Sequence, residues 1–206
     1  MIEYLINHSD KLGKALVEHL ELVVVTLVIS IFIASILTIL AMYSRVLSKI
    51  LIYMFSVIYS IPSLALFAML IPVTGLGKVT AITVLVVYNQ YLLLRNFIGA
   101  LNEVEPAIIE AATGIGMTNN QILFKIRLPL SKKALFTGVR LAVVSTIGIA
   151  TIAASINAGG LGSILFDGLR TLDVYKIVWG SILSAGLAIS VNGILSKVEK
   201  LIERRI

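Results

Sequence analysis

Residues 22–44, LVVVTLVISIFIASILTILAMYS, form a run of 23 amino acids without a charge. A helix needs about 20 apolar residues to cross the hydrocarbon core of a bilayer. The rest of the chain has the same character: 58% of its 206 residues are hydrophobic and 14% are charged, against about 25% charged in ordinary soluble domains. The mean hydropathy is +1.01. This composition excludes a disordered chain, argues against a water-soluble globule and indicates an integral membrane protein.

Four more uncharged runs follow, at residues 50–77, 79–94, 141–166 and 177–196. The run at 79–94 is short, but Arg95 at its end can extend its side chain toward the membrane surface, and apolar residues continue beyond it. We therefore predict an all-α, polytopic membrane protein with one transmembrane domain over residues 1–206. Its five transmembrane helices are expected at about 20–43, 50–72, 79–100, 134–156 and 175–196. Residues 2–20 predict an interfacial helix, with a sixth span left open.

The basic residues set the orientation of these spans. Of the 17 Lys and Arg residues, twelve fall in one set of loops and five in the other. Because cytoplasmic loops carry the excess of positive charge, the first set is predicted to be cytoplasmic. The N-terminus is then outside, the C-terminus is cytoplasmic, and a cytoplasmic loop joins spans three and four at about 102–130. This distribution explains the net charge of +6 without nucleic-acid binding.

Two spans are irregular enough to suggest a translocation pathway. Pro62, beside Ser60, removes a backbone donor inside the second span, and the freed carbonyl needs a neighbour or water. The fourth span is rich in small and polar residues, including Thr151 and Asn157, although close helix packing is the commoner cause of such composition. Tyr88 is a further pathway candidate, since aromatic rings attract quaternary ammonium groups. For this and the other tyrosines in the spans, packing is the favoured interpretation.

The predicted cytoplasmic loop contains EPAIIEAATGIGMTNNQILFKIRLP at residues 105–129. Pro106 suits the first turn of a helix. Gly114 and Gly116 supply a break, and Thr118 with Gln121 predicts a capping box that starts a second helix. The loop is therefore expected to fold as helix, break and helix, and the proline at position 129 is expected to mark a boundary before span four.

This loop matches the EAA motif of ABC importer permeases at every defined position, namely Glu110, Ala111, Ala112, Gly116, Ile126, Leu128 and Pro129. Nearly the whole chain resembles the small type I importer permeases. The resemblance implies coupling helices that dock on a cytoplasmic ATPase. The expected coupling residues are Glu110, Ala111, Ala112, Gly116, Met117, Thr118 and Asn119.

Three further stretches resemble the osmoprotectant permeases, which import glycine betaine, carnitine and choline: IPSLAL at 61–66, LRN at 94–96 and AGGLG at 158–162. Methionine-type permeases resemble the AGGLG stretch as well, and YNQY at 88–91 departs from the osmoprotectant pattern. A permease for methionine or another small solute is therefore the alternative within the family. A secondary transporter or channel is the alternative from a different class, and a non-transporting membrane scaffold for an ATPase is a weaker one.

The resemblance implies a second permease subunit, identical or paralogous, two ATPase subunits and an extracytoplasmic binding protein in a prokaryotic cell membrane. The nearest string to a Walker A motif, PVTGLGKV at 72–79, lacks its first Gly and its Ser or Thr. ATP and Mg are therefore expected on the partner ATPase, with no cofactor in this chain. Acidic residues are missing from the uncharged runs, which disfavours ion-coupled transport. His8 and His19 are predicted to lie on the surface, and their spacing gives no metal geometry.

Overall fold

Eleven α-helices make up the part of the chain that the computed structural model describes, residues 2–203, with side chains described for 4–201. They are α1 (Ile2–Asn7), α2 (Ser9–Met42), α3 (Arg45–Tyr59), α4 (Ser63–Thr74), α5 (Lys78–Asn102), α6 (Pro106–Gly114), α7 (Asn119–Ile122), α8 (Leu128–Leu130), α9 (Lys132–Ala153), α10 (Leu161–Thr171) and α11 (Val174–Glu203). A π-helical turn, Leu123–Arg127, and a 3-10 turn, Ala154–Ile156, connect some of them. The described residues contain no strand, and the all-α prediction is confirmed.

Four helices in the described residues are long and apolar enough to cross a membrane, and the bent pair α3–α4 brings the number to five. The first of them, α2, has 34 residues and is therefore about 51 Å long, while the hydrocarbon core is about 30 Å thick. The excess lies at its N-terminal end. Residues 9–20 thus continue the first membrane helix, and the prediction of a separate surface helix is wrong for them.

The region predicted as the second span is a pair of helices, α3 and α4, that meet at an angle of 96°. The bend occurs at Pro62, which cannot donate a backbone hydrogen bond. The Tyr88 hydroxyl on α5 donates to the carbonyl of Ile61, so a side chain satisfies the backbone group that the bend leaves without a helical partner. The interruption predicted at Pro62 is present, and it takes the form of a sharp bend.

The interior of the bundle is built around α5, which packs between α2 and α9 and also contacts α3 and α4. Small side chains allow these helices to approach closely. Ala34, Ala81, Ala142 and Ala150 are each fully buried at the contacts. In contrast, α11 packs on α9 and α10 and leaves most of its surface exposed.

Helix α10 lies between the predicted fourth and fifth spans, in a segment for which the sequence predicted no helix. Its start is fixed by Gly162, where a Cβ atom would lie 1.9 Å from the carbonyl oxygen of Thr151 and 2.8 Å from the Cβ of Ala154. The backbones of α9 and α10 therefore touch at this glycine. Such a contact between distant segments leaves no mark in local periodicity.

Candidate functional site

The loop between spans three and four folds as two short helices joined by a tight turn. Helix α6 has Pro106 in its first turn, as predicted. It ends in a pair of hydrogen bonds that define a Schellman motif: Met117 N donates to the Ala112 carbonyl at 3.1 Å, and Gly116 N to the Thr113 carbonyl at 3.0 Å. Gly116 has φ +83°, a conformation that strongly favours glycine. The motif glycine thus terminates α6.

The second helix of the loop, α7, begins with the predicted capping box, which is confirmed. Gln121 N donates to the Thr118 hydroxyl at 3.3 Å, and Thr118 N donates to the Gln121 side chain at 2.9 Å. This reciprocal pair satisfies two donors at the start of a four-residue helix. The loop therefore has a defined shape before any partner binds.

The predicted coupling residues divide into one buried and several exposed positions. Ala112 is 3% exposed and packs inward. Glu110, Ala111, Gly116, Thr118 and Asn119 are exposed, and Met117 is half-buried. Beside them the apolar side chain of Ile115 is 80% exposed. The outer surface of the loop therefore presents one strongly exposed apolar side chain among small and polar residues.

Two side chains after α7 hold the loop to the end of α5. The Arg127 guanidinium donates to the Leu101 carbonyl, and the Ser131 hydroxyl donates to the Ala100 carbonyl at 2.7 Å. Both acceptors belong to the last turn of α5, where carbonyls lack helical partners. The π-helical turn leads directly into α8, which contains Pro129, so this proline lies inside a helix and not at its end. The predicted boundary comes instead at Ser131.

A cleft of about 780 Å³ separates the loop from the turn between α2 and α3. Arg45, Lys49 and Arg127 line it, together with the backbone and polar groups around Tyr43 and Asn119. None of the described residues that line it is acidic. The Tyr43 hydroxyl donates to the side chain of Asn120 and closes one end. The cleft is therefore electropositive and suits an acidic surface.

The predicted pathway residues do not converge on one cavity. Ser60 and Pro62 are exposed at the α3–α4 bend, whereas Tyr88 beside them is 3% exposed and braces that bend. The Thr151 hydroxyl donates to the Ile147 carbonyl of its own helix at 3.1 Å. Asn157 has φ 63° in the turn after α9. Whether these residues contact substrate stays a prediction.

Asn157 lines a second cavity, of about 450 Å³, at the opposite end of the bundle from the loop that contains α6 and α7. Its charged residues are Lys11, Glu18, Asp167 and Arg170. A hydrogen bond from Lys176 holds the pKa of the Asp167 carboxyl below its ordinary value. Opposite charges thus face one another across this cavity.

His19 was predicted to be a surface residue, and this is wrong. Its side chain is fully buried, and Nε2 lies 3.2 Å from the Ile147 carbonyl of α9. A Cβ atom on Gly160 would lie 2.9 Å from its Nδ1, and the neighbouring Glu18 carboxylate accepts a hydrogen bond from Gly160 N at 3.2 Å. The extended end of α2 therefore packs on the glycine turn before α10. The contact between His19 and the Ile147 carbonyl joins residues 128 positions apart, and the spacing of the two histidines gave no signal of it.

Two adjacent amides in α5 form a buried polar cluster that the sequence analysis missed. Asn89 Nδ2 donates to the Thr146 hydroxyl of α9 at 2.9 Å and lies 3.3 Å from the Ser30 hydroxyl of α2. Gln90 Nε2 lies 3.3 Å from the Ser30 carbonyl. Both amides are 2% exposed. Polar side chains bond across helices in this way within membranes, and two consecutive amides inside an apolar run were the available signal.

The comparisons with known proteins agree with this architecture. Residues 22–206 match the family described as binding-protein-dependent transport system inner membrane component. The chain is 32% identical over 203 residues to the osmoprotectant import permease protein OsmW of Salmonella typhimurium, covering 96% of this chain and 94% of that protein. It is 38% identical over 144 residues to the carnitine transport permease protein OpuCB of Listeria monocytogenes, covering 70% and 66%.

Among solved structures, a chain of the MetNI methionine ABC transporter in inward-facing conformations matches with a TM-score of 0.82. The identity is 22%, and the match covers 93% of this chain and 95% of that one. At this identity the likeness shows the fold alone. Together with the family match over residues 22–206 and the membrane-length helices, it leads to one conclusion. This chain belongs to the family of binding-protein-dependent transport system inner membrane components and is a transmembrane permease subunit, not an enzyme.

Proposed function

We propose that this permease subunit serves an ATP-driven importer of a quaternary-amine osmoprotectant such as glycine betaine, carnitine or choline. The observation that carries the proposal is the similarity over nearly the full length to an osmoprotectant permease, joined to a preformed and exposed coupling loop. The methionine of the solved fold neighbour does not transfer to this chain, because that likeness rests on 22% identity. Methionine therefore enters the test as a competing substrate.

We propose that α6 and α7 dock on a cytoplasmic ATPase subunit. Ile115 is 80% exposed and Glu110 is exposed nearby, so the loop offers an apolar contact and a charge for a basic partner. The electropositive cleft around Arg45 and Lys49 complements an acidic edge of the same partner. Two ATPase subunits, which bind ATP and Mg, a second permease and an extracytoplasmic binding protein complete the proposed assembly.

The proposed coupling path runs from the loop into the bundle. Arg127 and Ser131 attach the loop to the last turn of α5. Nearer the N-terminal end of α5, Asn89 donates a hydrogen bond to Thr146 of α9 and lies close to Ser30 of α2. A displacement of the loop by ATPase closure therefore moves the end of α5 and, with it, these packed helices. Alternating access follows if ATP binding and substrate release favour opposite states of this rigid group.

The proposed orientation places the coupling loop in the cytoplasm and α10 outside. The chain contains no cysteine, so a single cysteine introduced at position 115 or at position 170 is the only thiol. A membrane-impermeant maleimide added to whole cells is expected to label position 170 and not position 115. Labelling of both positions after the membrane is opened controls for access, and the reverse pattern in whole cells overturns the orientation.

The test of function is uptake of labelled glycine betaine, carnitine, choline and methionine by cells with and without this subunit, at low and high osmolarity. Loss of quaternary-amine uptake on deletion, restored by the gene, is expected. Loss of methionine uptake alone refutes the osmoprotectant substrate and keeps the family. Transport by the purified chain in liposomes without an ATPase refutes ATP-driven import.

A further inference from the structure

We propose that Tyr59, Tyr91 and Arg95 form a subsite within the membrane for a zwitterion that carries a quaternary ammonium and a carboxylate. This inference rests on the proposed function and names the residues that would contact its substrate. The ammonium would lie against the tyrosine rings, and the carboxylate would accept hydrogen bonds from the arginine. Compounds of the glycine betaine and carnitine type have both groups, whereas choline has no carboxylate.

The three side chains form one cluster beside the α3–α4 bend. The ring centroids of Tyr59 and Tyr91 are 4.9 Å apart with an interplanar angle of 35°. The Arg95 guanidinium carbon lies 5.9 Å from the centre of the Tyr91 ring, and its Nη1 donates to the Tyr91 hydroxyl at 2.8 Å. Tyr88 supports the cluster from the interior, with its ring 5.4 Å from that of Tyr59 at an angle of 72°.

The surroundings of Arg95 favour a water-filled face of the bundle over one covered by lipid. The residue lies seven positions before the end of α5 at Asn102, about 10 Å along the helix axis. An arginine in contact with lipid extends its side chain toward the nearer membrane surface. Arg95 instead donates to Tyr91 on its own helix and, with its side chain exposed, lines an open cavity of about 300 Å³ together with Asn96 and Thr137. An exposed guanidinium held at this depth favours a water-filled pathway.

The cluster retains free capacity for a ligand. A guanidinium has five N–H donors in a planar fork that matches a carboxylate, and the Tyr91 hydroxyl accepts from one of its nitrogens. Tyr59 and Tyr91 are half-buried, so part of each ring faces the exposed side. Tyrosine rings attract cations within about 6 Å of the ring centre. Because the Arg95 guanidinium already lies over the Tyr91 ring, the half-buried Tyr59 ring is the partner for the ammonium, and the remaining Arg95 donors are the partner for the carboxylate.

The test uses the complete transporter, with permease, ATPase and binding protein, in liposomes. Initial uptake of glycine betaine, carnitine and choline is measured for wild type, Arg95→Gln, Tyr91→Phe, Tyr59→Phe and Tyr59→Leu, each normalised to inserted protein. Lys14→Gln, which removes an exposed cation outside the cluster, is the matched control. Because the binding protein is the same in every arm, a change in substrate preference arises in the permease.

Arg95→Gln is expected to lower uptake of the two carboxylate compounds roughly ten- to hundredfold relative to choline. Where choline is not carried, the Lys14→Gln rate is the reference. Tyr59→Leu is expected to lower uptake of all three compounds roughly 2- to 30-fold, while Tyr59→Phe keeps the ring and stays near wild type. Tyr91→Phe removes the hydrogen bond to Arg95 and keeps the ring, and it is expected to preserve the preference for carboxylate compounds.

The outcomes separate this inference from the proposed function. A wild-type transporter that moves none of the three compounds refutes the proposed function. A wild type that moves them, with Arg95→Gln unchanged in its preference, refutes the subsite alone. If Tyr91→Phe reproduces the Arg95→Gln preference, the carboxylate preference depends on the Tyr91 hydroxyl, and the proposed independent carboxylate contact of Arg95 is wrong. Movement of choline without either carboxylate compound also overturns it.

Discussion

Replacement of Gly116 is expected to uncouple the loop from the ATPase without unfolding the protein. The residue has φ +83°, and a Cβ atom built on it meets no atom within 4 Å. The cost of a side chain is therefore one of backbone conformation and not of collision. An L-residue in the left-handed region costs about 1–2 kcal/mol, which shifts the balance between the capped and uncapped turn by a factor of about 5–30.

The residue series follows from this cause. Asparagine tolerates positive φ better than other side chains, so Gly116→Asn is expected to retain the most activity, Gly116→Ala less and Gly116→Val least. Gly114 lies two residues earlier within α6, does not have positive φ and also has free space around it. Gly114→Ala is the matched control, and there alanine favours the helix by about 0.5–1 kcal/mol.

The assay is substrate-stimulated ATP hydrolysis by the reconstituted transporter, read together with uptake and with the amount of ATPase that copurifies. In the series at Gly116, stimulated hydrolysis and uptake should decrease in parallel while the thermal stability of the permease changes little. A Gly116→Val transporter with full stimulated hydrolysis would show that the Schellman turn is not needed for coupling. Equal loss in Gly114→Ala would show that any added methyl group blocks docking, whatever the backbone conformation.

Three other predictions concern the packing of the bundle. Gly162→Ala would place a methyl group 1.9 Å from a backbone carbonyl oxygen, so the melting temperature in detergent should fall by an amount that reflects about 3 kcal/mol or more. Gly148→Ala is the control, because it has free space around it and should leave the melting temperature near that of wild type. Equal melting temperatures for the two variants would contradict the contact between α9 and α10. A double-mutant cycle of Asn89→Ala and Thr146→Ala, measured by denaturation in mixed micelles, should give a coupling free energy of about 0.6 kcal/mol and at most about 1.7 kcal/mol. If the two single-mutant effects on stability simply add, the result would argue against the hydrogen bond between these side chains. The pKa of Asp167 is lowered, so its ion pair with Lys176 stabilises the fold above the ordinary carboxyl pKa, and this stabilisation is lost as the pH falls through the lowered pKa. Because the pair is partly exposed, Asp167→Asn should cost less than about 1 kcal/mol of stability. The same substitution should flatten the acid side of the curve of stability against pH.

The membrane class, the helical fold and the coupling loop could be read from the sequence because each depends on local chemistry. An uncharged run such as residues 22–44 has to be helical in a bilayer, where every backbone group needs an internal partner. The capping box at Thr118 and the glycine break after Gly114 are likewise fixed locally. The first depends on side chains three positions apart, and the second depends on the backbone freedom of glycine. Motif spacing then identified the family, since the loop positions are defined by sequence.

The remaining features were decided by contacts between distant segments. Local pattern placed His19 on the surface, but the length of α2 carries it onto the turn at Gly160. The proline at position 62 predicted an interruption, whereas the 96° angle and the hydrogen bond from the Tyr88 hydroxyl of α5 to the Ile61 carbonyl at the bend are features of the tertiary structure. The sequence by itself determined the membrane character, most of the helical segments and the two-helix shape of the loop, because those follow from neighbouring residues. Only the tertiary structure brought Tyr59 of α3 beside Tyr91 and Arg95 of α5, because that placement follows from how these two helices pack.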